Sequence, residues 1–222
     1  MNLSVSKVSK SFGKKKVFDN ISAVFNHGEI TGIFGRNGSG KSTLLKMIFG
    51  TLQADSIELK INADFINPKK VISSQSIAYL PQNSCLPKNI TVRKLIPLYY
   101  EDGEKQDQLF YDPPIASFEK LKVGQLSIGQ LRYLEILMIV HLNHDYVMFD
   151  EPFSMIDPLY KDLIKDLLIK KKKKKGIIVT DHYYQDVLQI TDTNYLIKAA
   201  KIHTVKDKHE LSQLGYLSID HS

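Results

Sequence analysis

Gly35-Arg36-Asn37-Gly38-Ser39-Gly40-Lys41-Ser42, entered from the apolar run Ile30 to Phe34, has the G-x-x-x-x-G-K-S spacing of a loop that cradles a nucleoside triphosphate. The spacing follows from the chemistry. Glycines let backbone N–H groups curl around phosphate oxygens without side-chain clashes, Lys41 reaches the β and γ oxygens, and the Ser42 hydroxyl can ligate Mg²⁺. Thr43 to Phe49 reads as a helix ending near Gly50, so the positive end of its dipole points at the phosphates. A strand before and a helix after are the context that separates this motif from a chance Gly/Ser turn. The loop alone does not choose among kinases, GTPases, helicases and transport ATPases.

The choice narrows downstream. Tyr146 to Glu151 reads YVMFDE, a buried strand with two carboxylates at its end, where open α/β sheets bind their ligands. Asp150 is placed to hold Mg²⁺, directly or through water, and Glu151 to polarise an attacking water. Leu126-Ser127-Ile128-Gly129-Gln130 stands upstream of this strand, and Asp181-His182 ends a second apolar strand, Ile177 to Thr180.

In this ordered set the chain resembles the ATP-binding cassette family, the nucleotide-binding subunits of ABC transporters, over essentially its whole length. GRNGSGKS matches the Walker A loop, YLPQ with Gln82 the Q-loop, LSIGQ the LSGGQ signature and YVMFDEP Walker B. SMID, Ser154 to Asp157, resembles the D-loop, and His182 falls at the switch histidine. The resemblance implies that Lys41, Ser42, Thr43 and the loop amides bind ATP. It further implies that Asp150 and Gln82 complete a magnesium shell, Glu151 is the general base, His182 contacts the γ-phosphate, and Phe12 stacks on adenine. It also implies a head-to-tail dimer, in which Ser127, Gly129 and Gln130 of one subunit, with Asp157, close over ATP held by the other, and transmembrane permease subunits as partners. Ile128 replaces the first glycine of the signature's pair, and after Arg132 the family's arginine-rich continuation is absent from Leu137 to Ile139.

Each residue also has a purely structural reading. Phe12 suits a core aromatic, Gln82 a turn after Pro81, His182 a solvated histidine, and Asp157 the start of a helix before Pro158. His141 and His144 lack a third ligand for a metal.

At 222 residues, 43% hydrophobic and 24% charged, the chain has room for one good core and a small lobe. Its longest candidate span, Leu134 to Val140, falls far short of the roughly 18 to 20 residues that span a bilayer. The start, MNLSVSKVSK, lacks the apolar region of a secretion signal, and a single cysteine, Cys85, permits no internal disulfide. The expected location is therefore the cytoplasm, peripheral on the cytoplasmic face of the membrane. Net charge is +6, much of it from Lys170 to Lys175, which reads as a solvated connector at a helix C-terminus, the other reading being attraction to anionic lipid at the cytoplasmic face. Nucleic-acid binding is disfavoured, because no aromatic platform is interleaved with the basic residues.

The expected fold is α/β, a P-loop NTPase core with an N-terminal antiparallel β subdomain and a small α-helical subdomain. Residues 1–222 form a single cassette, with the helical subdomain inserted at about 83–125, where one helical stretch is predicted around Val92 to Tyr99. Leu159, Tyr160, Leu163, Ile164, Leu167 and Leu168 recur at helical spacing, and the tail beyond Asp207 reads as a short helix. The predicted function is an ATP-hydrolysing subunit that powers transport through a separate permease. The alternative is a soluble ABC ATPase acting on nucleic acid or ribosomes, a kind that typically carries two cassettes or a long coiled coil.

Overall fold

Alternating burial along the first 26 residues gives two long antiparallel strands, β1 (Asn2–Phe12) and β2 (Lys15–Asn26), paired from Asn2 with Asn26 to Phe12 with Lys15. The structure, a computed structural model, describes residues 1–217. β3 (Ile30–Phe34) is buried at every position, as a strand covered on both faces must be, and leads through the glycine loop into α1 (Lys41–Phe49). Gly50 then stops α1 in the left-handed conformation at φ +85, its N–H returning to the last turn. β4 (Ser56–Ile61) and β5 (Asp64–Ile66) complete an antiparallel sheet in the order β2-β1-β4-β5.

The short α2 (Val71–Ser74) precedes β6 (Ile77–Leu80), after which the chain leaves the sheet. Where one helical stretch was expected, three helices stand: α3 (Val92–Leu95), α4 (Gly103–Phe110) and α5 (Pro113–Phe118). Asp102 and Asp112 cap the last two, and Pro113 occupies a first-turn position that needs no N–H. The long α6 (Ile128–His141) returns to β7 (Tyr146–Asp150). Then follow α7 (Pro158–Lys171), β8 (Gly176–Thr180), α8 (Tyr184–Leu188), β9 (Thr193–Lys198), β10 (Lys201–Val205) and α9 (Lys208–Gln213).

The second sheet runs β10-β9-β3-β8-β7-β6, parallel except for the β10 hairpin. One face buries Ile33, Met148 and Ile178 against α1 and the antiparallel sheet; the other buries Phe34, Val147, Phe149 and Val179 against α6 and α7. The expected apolar face of α7 is narrower than its spacing suggested, since Ile164, Leu167 and Leu168 are buried but Leu159 is 66% exposed. The lysine run corrects a second expectation. Lys175 is buried rather than solvated, because the carbonyls of Leu142 and His144 take its ammonium protons at 2.7 and 2.6 Å.

Candidate nucleotide site

β3 runs into the glycine loop, β7 ends at Asp150 beside Glu151, β8 ends beside Asp181 and His182, and β6 feeds Pro81 and Gln82. These four strands are parallel neighbours, so their carboxyl ends share one rim. A cavity of about 400 Å³ opens there, lined by Asn37, Gly38, Gly40, Lys41, Ser42, Thr43, Gln82, Glu151 and His182. Gly40 has φ +109, and a Cβ in its place would stand 2.6 Å from Val17 Cγ1 and 2.7 Å from Phe18 Cζ. Only glycine fits that position, from which α1 starts at once, leaving its first-turn N–H groups without intrahelical acceptors at the cavity wall.

Lys41 is buried and donates from Nζ to Gly35 O at 2.8 Å. Burial lowers its pKa, while Glu151, Asp150 and Asp181 oppose that shift by attraction. Asp150 is the hub of the rim. Ser42 Oγ donates to its Oδ1 at 3.0 Å, Thr180 Oγ1 to the same oxygen at 2.7 Å, and the Tyr79 hydroxyl to Oδ2 at 3.0 Å. Burial and the neighbouring Asp150 carboxylate raise the Tyr79 pKa, so its proton stays on the bond.

Glu151 turns the chain at φ +53, with its N–H bonded to Thr180 O at 2.7 Å. Its Oε2 accepts from Gln82 Nε2 at 2.8 Å, and its Oε1 lies 3.3 Å from His182 Nδ1. Asp181 is wholly buried and accepts from the N–H groups of Phe153 and Tyr183; burial raises its pKa and those donors oppose the rise.

Other sequence-predicted residues lie apart from this cavity. Phe12 is half exposed at the end of β1, with Lys10 Nζ 5.1 Å from its ring centroid. The Arg36 side chain donates to Gly215 O at 3.0 Å and does not line the Lys41 cavity. Ser39 Oγ is buried without a hydrogen-bond partner among the described residues. Ser127 and Gln130 cap α6 reciprocally, Ser127 Oγ accepting from Gln130 N at 3.1 Å and Gln130 Oε1 from Ser127 N at 2.9 Å. Asp157 caps α7 through Tyr160 N, and it lies against Gly129, where a Cβ would stand 2.8 Å from Asp157 Oδ2. The signature and the SMID segment thus form one cluster of their own.

Sequence reasoning assigned no role to Tyr79, Thr180, Arg132 or Glu135. Thr180 is the register partner of Asp150, a relation that exists only once β7 and β8 are aligned. Arg132 ties α6 to the Q-loop through backbone carbonyls: its guanidinium donates to Pro81 O at 3.0 Å and Gln82 O at 2.6 Å, with Glu135 Oε2 3.4 Å away. Two opposite charges three residues apart in an otherwise apolar helix were the available signal.

Comparison with known proteins converges on this geometry. A family model described as ABC transporter matches residues 18–154. The lipopolysaccharide export system ATP-binding protein LptB of Haemophilus influenzae is 28% identical over 212 residues, covering 90% of this chain and 88% of that one. A nucleotide-free ATP-binding cassette from an ABC transporter superposes with TM-score 0.83 at 25% identity, over 98% of this chain and 96% of the other. The ADP conformation of another such cassette gives TM-score 0.81 at 26% identity, over 96% and 94%. The antiparallel sheet set on a parallel P-loop sheet is the ABC ATPase fold, and the chain belongs to the ABC transporter family as an ATP-binding subunit that hydrolyses ATP for transport.

Proposed function

We propose that Lys41, Ser42, Thr43 and the amides of Gly35 to Gly40 hold the ATP phosphates, that Glu151 is the general base toward the attacking water, and that His182 contacts the γ-phosphate. The observation that carries this reading is Glu151 held between Gln82 and His182 at the rim of the cavity that Lys41 and Ser42 line. Phosphoryl transfer to water needs positioning and charge stabilisation far more than covalent help, and such a rim supplies both. The hydroxyl of Ser42, the carboxylate of Asp150 and the carboxamide of Gln82 are hard oxygen donors that suit Mg²⁺. Bound there, the ion would offset the negative charge of the phosphates. Phe12, exposed at its strand end, stacks on adenine in this reading.

The head-to-tail dimer is supported by what the signature cluster leaves uncovered. Ser127 is exposed, Ile128 is 60% exposed and Met155 80% exposed, and none of them lines the Lys41 cavity. A second copy presenting Ser127, Gly129, Gln130 and Asp157 would complete each site and exclude water from it. Among the described residues no helix is long and apolar enough to cross a membrane. The permease is therefore a separate chain in this reading, and the subunit works at the cytoplasmic face. An apolar cavity of about 160 Å³ beside the Q-loop, lined by Pro81, Leu86, Tyr99, Tyr100 and Met138, offers the permease its foothold.

The test is Glu151→Gln. The variant should keep ATP affinity, accumulate as an ATP-bound dimer on size exclusion, and lose turnover by about 10² to 10⁴-fold, the range of a general base. Equal hydrolysis rates in the two proteins would overturn the assignment, and an ATP-bound variant that stays monomeric would overturn the dimer.

A further inference from the structure

The lysines from Lys170 to Lys175 have no part in the nucleotide site, and the fold uses them unequally. Lys172 pairs with Asp192 at 2.6 Å, and Lys175 is spent on the carbonyls of Leu142 and His144. Lys171 Nζ instead lies 2.7 Å from His141 Nε2. His141 Nδ1 is 2.7 Å from Leu137 O, which can only accept, so Nδ1 carries the ring proton and Nε2 is the lone-pair acceptor for Lys171. The partner of Lys171 is thus neutral, and cannot offset its charge. Burial first, then the backbone bond in the opposite sense, then Lys171, Lys175 and Lys170, set the His141 pKa below its ordinary value.

These groups surround a cavity of about 370 Å³ between the end of α6, residues 142–145 and the end of α7. Lys171, Lys174 and Lys175 stand on its wall, and among the described residues Asp145 is the one carboxylate there. The adjoining depression, which shares His141 and His144, adds Lys105, Glu101 and Asp102. Among the described residues Lys171, Lys174 and Lys175 make no ion pair, and His144 Nδ1 is sealed from solvent without a hydrogen-bond partner. Among the described residues no three His, Cys, Asp or Glu side chains are placed to hold a metal, and the cationic wall would repel one. Lys171, half-buried with no counter-ion, is costly to hold charged, and an anion carrying two charges and three acceptor oxygens relieves that cost better than a planar carboxylate does.

We propose that this cavity binds a phosphate-monoester group, free or on a lipid headgroup, with Lys171 and Lys174 as its charge partners and His144 as a hydrogen-bonding partner. The site is separate from the triphosphate cradle, and its occupation does not depend on the roles assigned to Glu151 or His182.

Because the glycine loop also attracts phosphate, the readout must come from the second cavity itself. Full-length protein with ADP in excess is titrated with inorganic phosphate, and the imidazole ¹⁵N resonances of His141 and His144 are followed, assigned through His141→Gln and His144→Gln. Both should shift saturably, with Kd on the order of 1 mM. Lys174→Gln, an exposed position, should keep its melting temperature and basal ATPase while weakening the response about tenfold. Lys173→Gln removes the same charge from outside the cavity and should change nothing. Unmoved resonances, or equal losses in the two lysine variants, would overturn the proposal. Co-sedimentation with phosphatidic acid in phosphatidylcholine vesicles, dependent on Lys174 but not Lys173, assigns a lipid source; histidine shifts with no such sedimentation assign a free phosphate.

Discussion

Replacing Arg132 by methionine removes the only cation buried within α6 and tests whether the Q-loop is held in place from that helix. Arg132 is 7% exposed and Glu135, its partner one turn on, is 4% exposed. The substitution strands the carbonyls of Pro81 and Gln82, whose hydrogen bonds at 3.0 and 2.6 Å come from this guanidinium, and leaves a buried carboxylate without a counter-ion. Breaking a buried pair from one side costs about 3 to 5 kcal/mol, and because the Arg–Glu distance is long while the carbonyl bonds are short, much of that falls on the backbone acceptors. Burial already raises the Glu135 pKa, with Arg132 opposing the rise. Without Arg132 the folded-state pKa climbs further above the unfolded value, so the folded form holds a proton that the unfolded form releases. The penalty should therefore be smallest near pH 4.5 and grow as pH rises.

Guanidinium denaturation of Arg132→Met, Glu135→Leu and the double variant, at acid and neutral pH, measures these quantities. The double variant has no orphaned charge and should recover at least about 2 kcal/mol relative to Arg132→Met at neutral pH. Since Gln82 also donates to Glu151, ATP turnover of Arg132→Met should fall even where the protein is fully folded. A single variant costing under about 1 kcal/mol, or a double variant no more stable than the single, would refute the reasoning.

Gly40→Ala places a Cβ against Val17 and Phe18 at a φ that L-residues avoid, so a loss of about 2 to 5 kcal/mol is expected in urea denaturation, with ATP affinity reduced alongside. Tyr79→Phe deletes one donor to Asp150 while Thr180 and Ser42 keep the other oxygen, which should cost about 1 to 2 kcal/mol; no change in midpoint would show that the bond is idle. His141, with its pKa depressed in the fold, stays neutral below pH 6.5 while the unfolded chain takes up a proton there. Stability should fall on acidification from that point, by at most about 1.4 kcal/mol per pH unit from this one group, and His141→Gln should flatten the slope.

Motif-bearing segments were legible because their backbone is local. The loop from Gly35 to Ser42 reads directly, and so do β3, β7 and β8, since a strand buried on both faces reads as a near-continuous apolar run. α4 and α5 were hidden for the opposite reason: they are short, half polar and begin with Asp-Gly and Asp-Pro-Pro, which suit turns as well as helix caps. The lysine run misled because six identical side chains meet different neighbours, Asp192 for one and two backbone carbonyls for another, and no local pattern distinguishes them. Likewise the site's hydrogen-bonding support, Tyr79 and Thr180 on Asp150 and Arg132 on the Q-loop, joins residues far apart in sequence, so it appears only when the strands are in register.

That register also explains why two adjacent carboxylates can do different work. In an extended strand successive side chains leave on opposite faces, so Asp150 and Glu151 would be carried apart. The left-handed turn at Glu151, φ +53, breaks the alternation immediately after the last residue of β7 and keeps both acids on the same rim. Such a backbone costs about 1 to 3 kcal/mol for a residue other than glycine, and it persists because the Glu151 N–H is fixed to Thr180 O while Asp150 is fixed by Thr180 Oγ1. One threonine on the neighbouring strand therefore clamps both, through its backbone and its side chain. The consequence is a division of labour set by geometry: Asp150 is tied to Ser42 at the foot of the phosphate loop, and Glu151 is turned toward Gln82 and His182, where a proposed general base would need to be.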